Sequence, residues 1–395
     1  LIFGPPGTGK TVTLVEAIKQ VWSCFKDARI LACAPSNSAA DLLCQRLLTN
    51  IAPRYIYRIM ASSANYKDVP ADVRVGLCPP PQPLQHNPEE KGPHLTFCSS
   101  PAAIGTTARR YFSQVFIDEC GHAVEPESVV AIADTNRNGG QLVLAGDPQQ
   151  LGPVLRSPLA AQHGLGTSLL ERLMLHNALY AKSDEGYNPQ FVTKLLWNYR
   201  SHKAILKVPN ELFYDSELKA YEGSEPDVRN FYCTWEELPN RGVPIIFHGV
   251  CGEDEREAKS PSFFNTAEIE VVVQYLQKLL QSQGRRGCPT ISPKEIGIIS
   301  PYRKQVQAEG RGMGEPGPSH HTTPTPQVGS VEEFQGQERR VILISTVRSC
   351  SEYLQLDQTF RLGFLKNPKR LNVALTRAKA LLIVVGNAAV LSKDP

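Results

Sequence analysis

The segment Gly4-Pro5-Pro6-Gly7-Thr8-Gly9-Lys10-Thr11 sets glycines, a lysine and a hydroxyl at the spacing that holds a triphosphate. Glycines let backbone N–H groups turn inward around a β-phosphate, and the N-terminus of a following helix adds its partial positive charge. Lys10 then reaches the β and γ oxygens while the Thr11 hydroxyl ligates Mg2+, so Gly7, Thr8, Gly9, Lys10 and Thr11 are candidate ATP-binding residues. Such a site needs an acid at the end of another buried strand, and Val115-Phe116-Ile117-Asp118-Glu119 supplies it. Asp118 would hold Mg2+, directly or through water. Glu119 would orient and deprotonate the attacking water, because phosphoryl transfer needs positioning and charge neutralisation more than covalent chemistry. A third apolar run, Leu142 to Ala145, ends in Gly146-Asp147-Pro148-Gln149-Gln150. An Asp-Pro turn accounts for that elbow by itself; alternatively, the Gln150 amide contacts a γ-phosphate or the lytic water.

These residues need strands to end where they stand. Apolar runs at Ile30 to Ala34, Val115 to Ile117 and Leu142 to Ala145 alternate with helix-period segments at Thr11 to Trp22 and Ser38 to Leu48, which predicts a parallel sheet flanked by helices. A second set follows, with strands expected at Pro244 to His248, Ile296 to Ser300, Val341 to Thr346 and Leu381 to Val385. Its helix is expected to bury Ile269, Val272, Val273, Leu276 and Leu280 on one face. The fold class is therefore α/β, divided into domains at 1–190 and 191–395. The proline-rich stretch 70–93 and the glycine- and proline-rich stretch 310–326 are read as surface loops unable to hold regular helix or strand. Leu1-Ile2-Phe3 reads as the tail of a strand, and hence the chain as a fragment.

Composition narrows the classes further. The 395 residues are 41% hydrophobic and 21% charged with a net charge of +3, ordinary for a globular protein and too weakly basic to announce nucleic acid without motifs. The longest aliphatic run, Leu381 to Val385, is far short of the ~20 residues that span a bilayer, so no membrane association is expected. The ten cysteines stand singly without a C-x-x-C pair, and His320-His321 lacks further ligands nearby, so no structural metal is expected and reduced thiols are the simpler reading.

In order and spacing the motifs resemble those of superfamily 1 helicases of the Up-frameshift type. GPPGTGKT is similar to motif I, APSNSAAD (Ala34 to Asp41) to motif Ia, DECG (Asp118 to Gly121) to motif II and GDPQQLGP (Gly146 to Pro153) to motif III. NYRSH (Asn198 to His202) is similar to motif IV, VGSVEEFQGQE (Val328 to Glu338) to motif V and LNVALTRAK (Leu371 to Lys379) to motif VI. The wording between motifs, such as ISPYRKQV and GFLKNPKRLNVALTRAKALLIVVGN, resembles the Moloney-leukaemia-virus-insertion and Armitage type of RNA helicase.

The resemblance implies two tandem RecA-like P-loop domains with ATP between them and single-stranded RNA across them. It implies 5′-to-3′ movement and remodelling of ribonucleoprotein with silencing proteins as partners, in RNA-mediated silencing and retroelement control, within cytoplasmic ribonucleoprotein granules (P-bodies). An ATP-gated RNA clamp that does not unwind duplexes is the alternative. Carried over, Arg200 and Arg377 are the two arginine fingers, whose guanidinium groups match phosphate bidentately. Gly336 and Glu338 approach the nucleotide from the same side, and Tyr199 stacks on its base. Ser36, Asn37, Ser38, Val331 and Thr376 mark the RNA track, although Ser36 to Ser38 also read as a helix cap, a role compatible with anion binding. Basic clusters at Arg109-Arg110, Arg303-Lys304 and Lys366 with Lys369-Arg370 are suited to steering a phosphate backbone. Cys120 stands where this family most often has Ala, and FCSSPAAIGTTARRY departs from the usual motif Ib. The family's adenine-recognising glutamine and accessory domain are expected upstream of Leu1.

Overall fold

In a computed structural model the chain resolves into two units, Leu1–Leu196 and Trp197–Pro395. The structure describes residues 1–60, 69–76, 94–99, 111–133, 135, 139–155, 157–223, 228–256, 262–285, 287–312, 325–349, 364 and 367–393. The basic pair Arg109-Arg110, the His320-His321 pair, Lys366, residues 77–93 and residues 313–324 lie outside that set.

The first unit runs β1 (Ile2–Phe3), α1 (Lys10–Cys24), β2 (Arg29–Cys33), α2 (Asn37–Leu48), β3 (Ile56–Ile59), β4 (His94–Cys98), β5 (Gln114–Ile117), α3 (Glu125–Ala133), β6 (Gln141–Gly146), α4 (Pro158–Gln162), α5 (Leu169–His176) and β7 (Thr193–Lys194). Its sheet has the order β3-β4-β2-β5-β6-β1-β7, every pair parallel. Parallel strands covered by helices on both faces are buried on both, which is why β2 and β5 read as unbroken apolar runs. Helix α1 contributes Leu14, Val15 and Ile18 to the core, one helical face against the strands. The unit ends at Leu196 rather than at 190, because Thr193 and Lys194 form a strand beside Ile2 and Phe3. Within the proline-rich stretch, residues 73–76 make a short 3-10 turn and Val73 packs in the core, so the loop expectation fails there.

The second unit runs β8 (Trp197–Asn198), α6 (Lys203–Phe213), β9 (Lys219–Ala220), β10 (Ile245–Gly249), β11 (Glu255–Arg256), β12 (Phe263–Phe264), α7 (Thr266–Gln281), β13 (Ile296–Ser300), α8 (Arg303–Gly312), β14 (Gln327–Ser330), β15 (Arg339–Ser345), α9 (Pro368–Leu375), β16 (Ala378–Gly386) and α10 (Ala388–Leu391). Its main sheet is parallel with the order β10-β16-β15-β13-β14. Residues 310–312 continue α8, which corrects the expectation that no regular helix enters that stretch.

Helix α7 also departs from its expected face. The buried line is Glu268, Val272, Tyr275, Leu276 and Leu279, while Ile269, Val273 and Leu280 are half-buried. Its one buried acid, Glu268, is the anchor of a polar core. Glu268 accepts hydrogen bonds from the Ser345 hydroxyl (2.7 Å) and the Val347 N–H (2.8 Å). Gln305 on α8 donates to Ser345 Oγ (2.9 Å) and to Glu309 (3.2 Å). Val347 is β-branched yet has φ of +70°, a conformation that persists only when its surroundings hold it. Glu268 holds its N–H, and Asn265 Nδ2 donates to its carbonyl at 3.0 Å.

Burial pushes the Glu268 carboxyl up to about 7 and that of Glu309 up to about 8, from an ordinary value of 4.5. A folded value above the unfolded one means that the folded chain binds the extra protons, so this contribution to stability is complete below pH 4.5 and is lost as pH rises through about 7 to 8. The urea-unfolding midpoint of the second unit should therefore fall across that window, and Glu268→Gln, which keeps the shape without the charge, should flatten the fall. An unchanged slope in the variant would show that Glu268 is ionised throughout.

Candidate functional site

The turn between β1 and α1 is shaped by glycines. Gly7 and Gly9 have φ of +68° and +81°, which only glycine adopts without strain, and between them the Thr8 N–H donates to the Pro5 carbonyl at 3.3 Å. Gly4 is needed for a different reason: a Cβ there would lie 2.6 Å from Lys10 Cβ, so its absence lets the lysine stem lie along the loop. The Thr8 hydroxyl donates to the Pro5 carbonyl at 2.7 Å and closes the turn.

Strand β5 delivers the acids. Lys10 Nζ lies 2.6 Å from Glu119 Oε1 and 3.5 Å from Asp118 Oδ1, and Thr11 Oγ1 donates to Asp118 Oδ2 at 3.2 Å. Burial alone would pull the lysine pKa down, but the charges of Glu119, Asp118 and Asp147 outweigh it, so the ammonium stays charged with its pKa raised. Burial holds the Asp118 carboxyl above its ordinary value against the opposing effect of Lys10. Glu119 is left-handed, with φ 50° and ψ 33°, a rare conformation for a non-glycine residue. The Thr11 hydroxyl and the Asp118 carboxylate are hard oxygen donors converging beside an anion-shaped turn, a donor set that fits Mg2+.

The elbow after β6 touches this site backbone to backbone. A Cβ on Gly121 would lie 2.9 Å from the Asp147 carbonyl, and one on Gly146 would lie 2.8 Å from the Gly121 nitrogen. Asp147, buried, accepts from the Gln149 N–H (2.9 Å) and from Gln150 Nε2 (2.6 Å). The Gln150 amide is thus anchored beside Asp147. Sequence reasoning passed over Asp147 and Gly121; the only signal for them was their place within motifs attributed to other residues.

The Ser36-Asn37-Ser38 run opens α2. Ser36 caps the helix by accepting from the Ala39 N–H at 3.2 Å, and its hydroxyl lies 3.2 Å from that of Ser38; both side chains are exposed. Asn37 instead turns inward, its amide oxygen accepting from Arg58 Nη2 at 3.1 Å and from the Ser99 hydroxyl. Arg58 is fully buried and pairs through Nε with Asp41 at 2.8 Å. Only Ser36 and Ser38 of the three therefore present their hydroxyls outward.

In the second unit, Asn198 Oδ1 accepts from the N–H groups of Arg200 (3.0 Å) and Ser201 (2.8 Å), forming a tight turn that projects Arg200. Arg200 Nε donates to Glu338 and Nη1 to the Thr376 carbonyl at the end of α9 (3.1 Å). Lys379 Nζ holds the other Glu338 oxygen at 2.7 Å. Burial would raise the Glu338 carboxyl, but Arg200 and then Lys379 prevail and hold it at about 2. Arg377 is buried, with Nε donating to the Val373 carbonyl (3.1 Å) and Nη1 to that of Gln337 (3.2 Å), just past the left-handed Gly336 (φ +73°). Arg200, Glu338 and Arg377 are thereby brought into one cluster, together with Lys379, which sequence reasoning did not select. Tyr199 is 56% exposed with its ring 4.9 Å from that of Tyr221, leaving a face open for stacking.

Val331 is 0% exposed and Thr376 2%, the latter donating to the Asn372 carbonyl at 2.7 Å, so both side chains are packed inside their own unit and only backbone or neighbouring residues there are open to a strand. Arg370, expected to steer phosphates from the surface, is buried too and pairs with Glu332.

An AAA-domain family model matches residues 165–389, and a second AAA-domain model matches 1–77 and 96–158. A chicken (Gallus gallus) protein named MOV-10 is 82% identical over 100% of this chain and 43% of its own length. The mouse (Mus musculus) RNA helicase Mov10l1 is 44% identical over 100% of this chain and 33% of its own length. A Drosophila melanogaster relative, armi, is 36% identical over 100% and 35% respectively. The chain spans less than half the length of these relatives.

The Arg58–Asp41 pair lies beneath the start of α2 with almost no water access, so Arg58→Ala leaves a buried carboxylate without its partner. The expected cost is about 3–5 kcal/mol in chemical denaturation, and Arg58→Met with Asp41→Leu should recover most of it. A loss below about 1 kcal/mol, the size of a surface pair, would refute the buried-pair reading.

Proposed function

This chain belongs to the AAA-domain family, in the group of the helicases MOV-10, Mov10l1 and armi, and from that premise we propose that it is an ATP-driven RNA helicase. The carrying observation is the charged Lys10, 2.6 Å from Glu119 and 3.5 Å from Asp118, at the end of a glycine turn that opens a helix. That arrangement binds a triphosphate and positions a carboxylate for water.

In this reading Lys10 exchanges its carboxylate partners for β- and γ-phosphate oxygens, which the glycine turn and the start of α1 also hold. Glu119, no longer paired with the ammonium, orients the attacking water and accepts its proton. Thr11 and Asp118 would hold Mg2+, which would supply positive charge for the phosphates. Asp147 keeps the Gln150 amide beside the reacting groups. Arg200 and Arg377 supply the guanidinium charge that phosphoryl transfer calls for, and Tyr199 stacks on the base. Exposed hydroxyls at Ser36 and Ser38, over a helix N-terminus, suit an RNA backbone without reading sequence. Movement 5′ to 3′, ribonucleoprotein remodelling in RNA-mediated silencing and retroelement control, and residence in cytoplasmic granules complete the proposal. Those parts rest on the resemblance of the motif wording to the Armitage type of RNA helicase.

ATP turnover measured with RNA, with DNA and with neither tests the reading, together with strand displacement on tailed duplexes. Stimulation by RNA without displacement would favour an ATP-gated clamp. Lys10→Ala and Glu119→Gln should each lower RNA-stimulated turnover by about a hundredfold or more, with Glu119→Gln still binding nucleotide. Unchanged turnover in either would remove the site. Arg377→Ala should lower turnover by about 10³ or more while nucleotide affinity changes far less, and a normal rate would exclude its guanidinium from the reaction.

A further inference from the structure

Strands β13 and β14 run parallel in register, Ser300 beside Ser330, so the loops that begin at Pro301 and Val331 leave the sheet at one edge. Strands β15 and β16 begin beside each other at Arg339 and Ala378, so Glu338 and Arg377 stand at the opposite edge. Helix α9 connects the two ends. Arg370 lies in its first turn and Arg377 just beyond its last, roughly 10 Å further along. Arg370 is 7% exposed, and its Nη2 reaches the Pro301 carbonyl (3.3 Å) and both Glu332 oxygens (2.8 and 3.0 Å). One guanidinium therefore ties together the loop after β13, the loop after β14 and the start of α9.

The edge where parallel strands end is where α/β proteins bind their ligands, and the ligand here, on the reading above, is RNA. We propose that Arg370 is a positioning residue that fixes the two loops in the shape that receives the RNA backbone; the RNA part rests on the helicase reading. All three contacts come from the terminal nitrogen Nη2, so the link depends on carrying one cationic nitrogen to both loops at once. Without Arg370, Glu332 carries an uncompensated negative charge on a loop meant to lie against phosphates.

The test reads RNA-dependent ATP turnover as a function of RNA concentration, beside hydrogen–deuterium exchange without RNA. Arg370→Gln should raise the RNA concentration for half-maximal stimulation about tenfold or more while turnover at saturating RNA stays within about threefold. Exchange at Tyr302 and at Val331 to Gln335 should quicken. Arg370→Lys, which keeps a positive charge opposite Glu332 on a shorter side chain, should fall between. Glu332→Gln should reproduce the defect, and the double variant should be no worse than either single one, because both remove the same link. Half-saturation within about twofold of wild type in Arg370→Gln, or unaltered exchange at both loops, would overturn the proposal. If instead the wild-type protein ignores RNA, the helicase reading fails, and the exchange data alone decide whether Arg370 anchors the loops.

Discussion

A lysine ammonium taken out of water must find anions or give up its proton, and Lys10 is buried. Its charge survives because three strands end around it. Strand β1 leads into the loop that carries it, β5 ends in Asp118 and Glu119, and β6 ends at Asp147. The sheet order β5-β6-β1 sets those ends side by side, and the connections between them are long enough to permit that non-sequential order. The other peculiarities of the first unit follow from the same need. Glu119 accepts a left-handed backbone with its carboxylate on Lys10, and Gly121 and Gly146 omit side chains so that the turns bearing the acids can touch.

The second unit solves the converse problem with guanidinium groups. Arg377 is held in place by the carbonyls of Val373 and Gln337, which accept from its Nε and Nη1. Arg200 shares Glu338 with Lys379, so one carboxylate serves two cations and the cluster keeps net positive character. A group of that sign suits an anion, which is the electrostatic counterpart of the glycine turn and helix start in the first unit.

How much of this was legible in the sequence follows from what burial does to residue pattern. Strands buried on both faces show as apolar runs, so β2, β5, β6, β13, β15 and β16 could be located, and the phosphate turn was readable because its glycines, lysine and hydroxyl are fixed by chemistry at fixed spacing. Strand β4, His-Leu-Thr-Phe-Cys, is just as buried but carries a histidine and a threonine, and so it passed unseen. Helix α7 was placed but rotated, because its buried line begins with an acid that a hydrophobic pattern counts as surface. Residue type also does not say which way a side chain turns. Asn37, Val331, Thr376 and Arg370 all stand in motifs that suggest contact with a ligand, and all four face inward, where each holds or fills the backbone that shapes the motif.

The placement of cations along α9 sharpens the last case. Arg200 meets the Thr376 carbonyl past the C-terminal end of that helix, where the partial negative charge of the dipole favours a cation. Arg370 sits in the first turn, where the same dipole disfavours one by a few tenths to about 1 kcal/mol. Helix stability alone would put an acid there. The Glu332 carboxylate, close to both the guanidinium and the helix start, offsets the unfavourable field, so the first turn and the loop after β14 depend on each other electrostatically. A residue that works against its own helix, and is made tolerable only by a neighbouring loop, contributes through the link rather than through the helix.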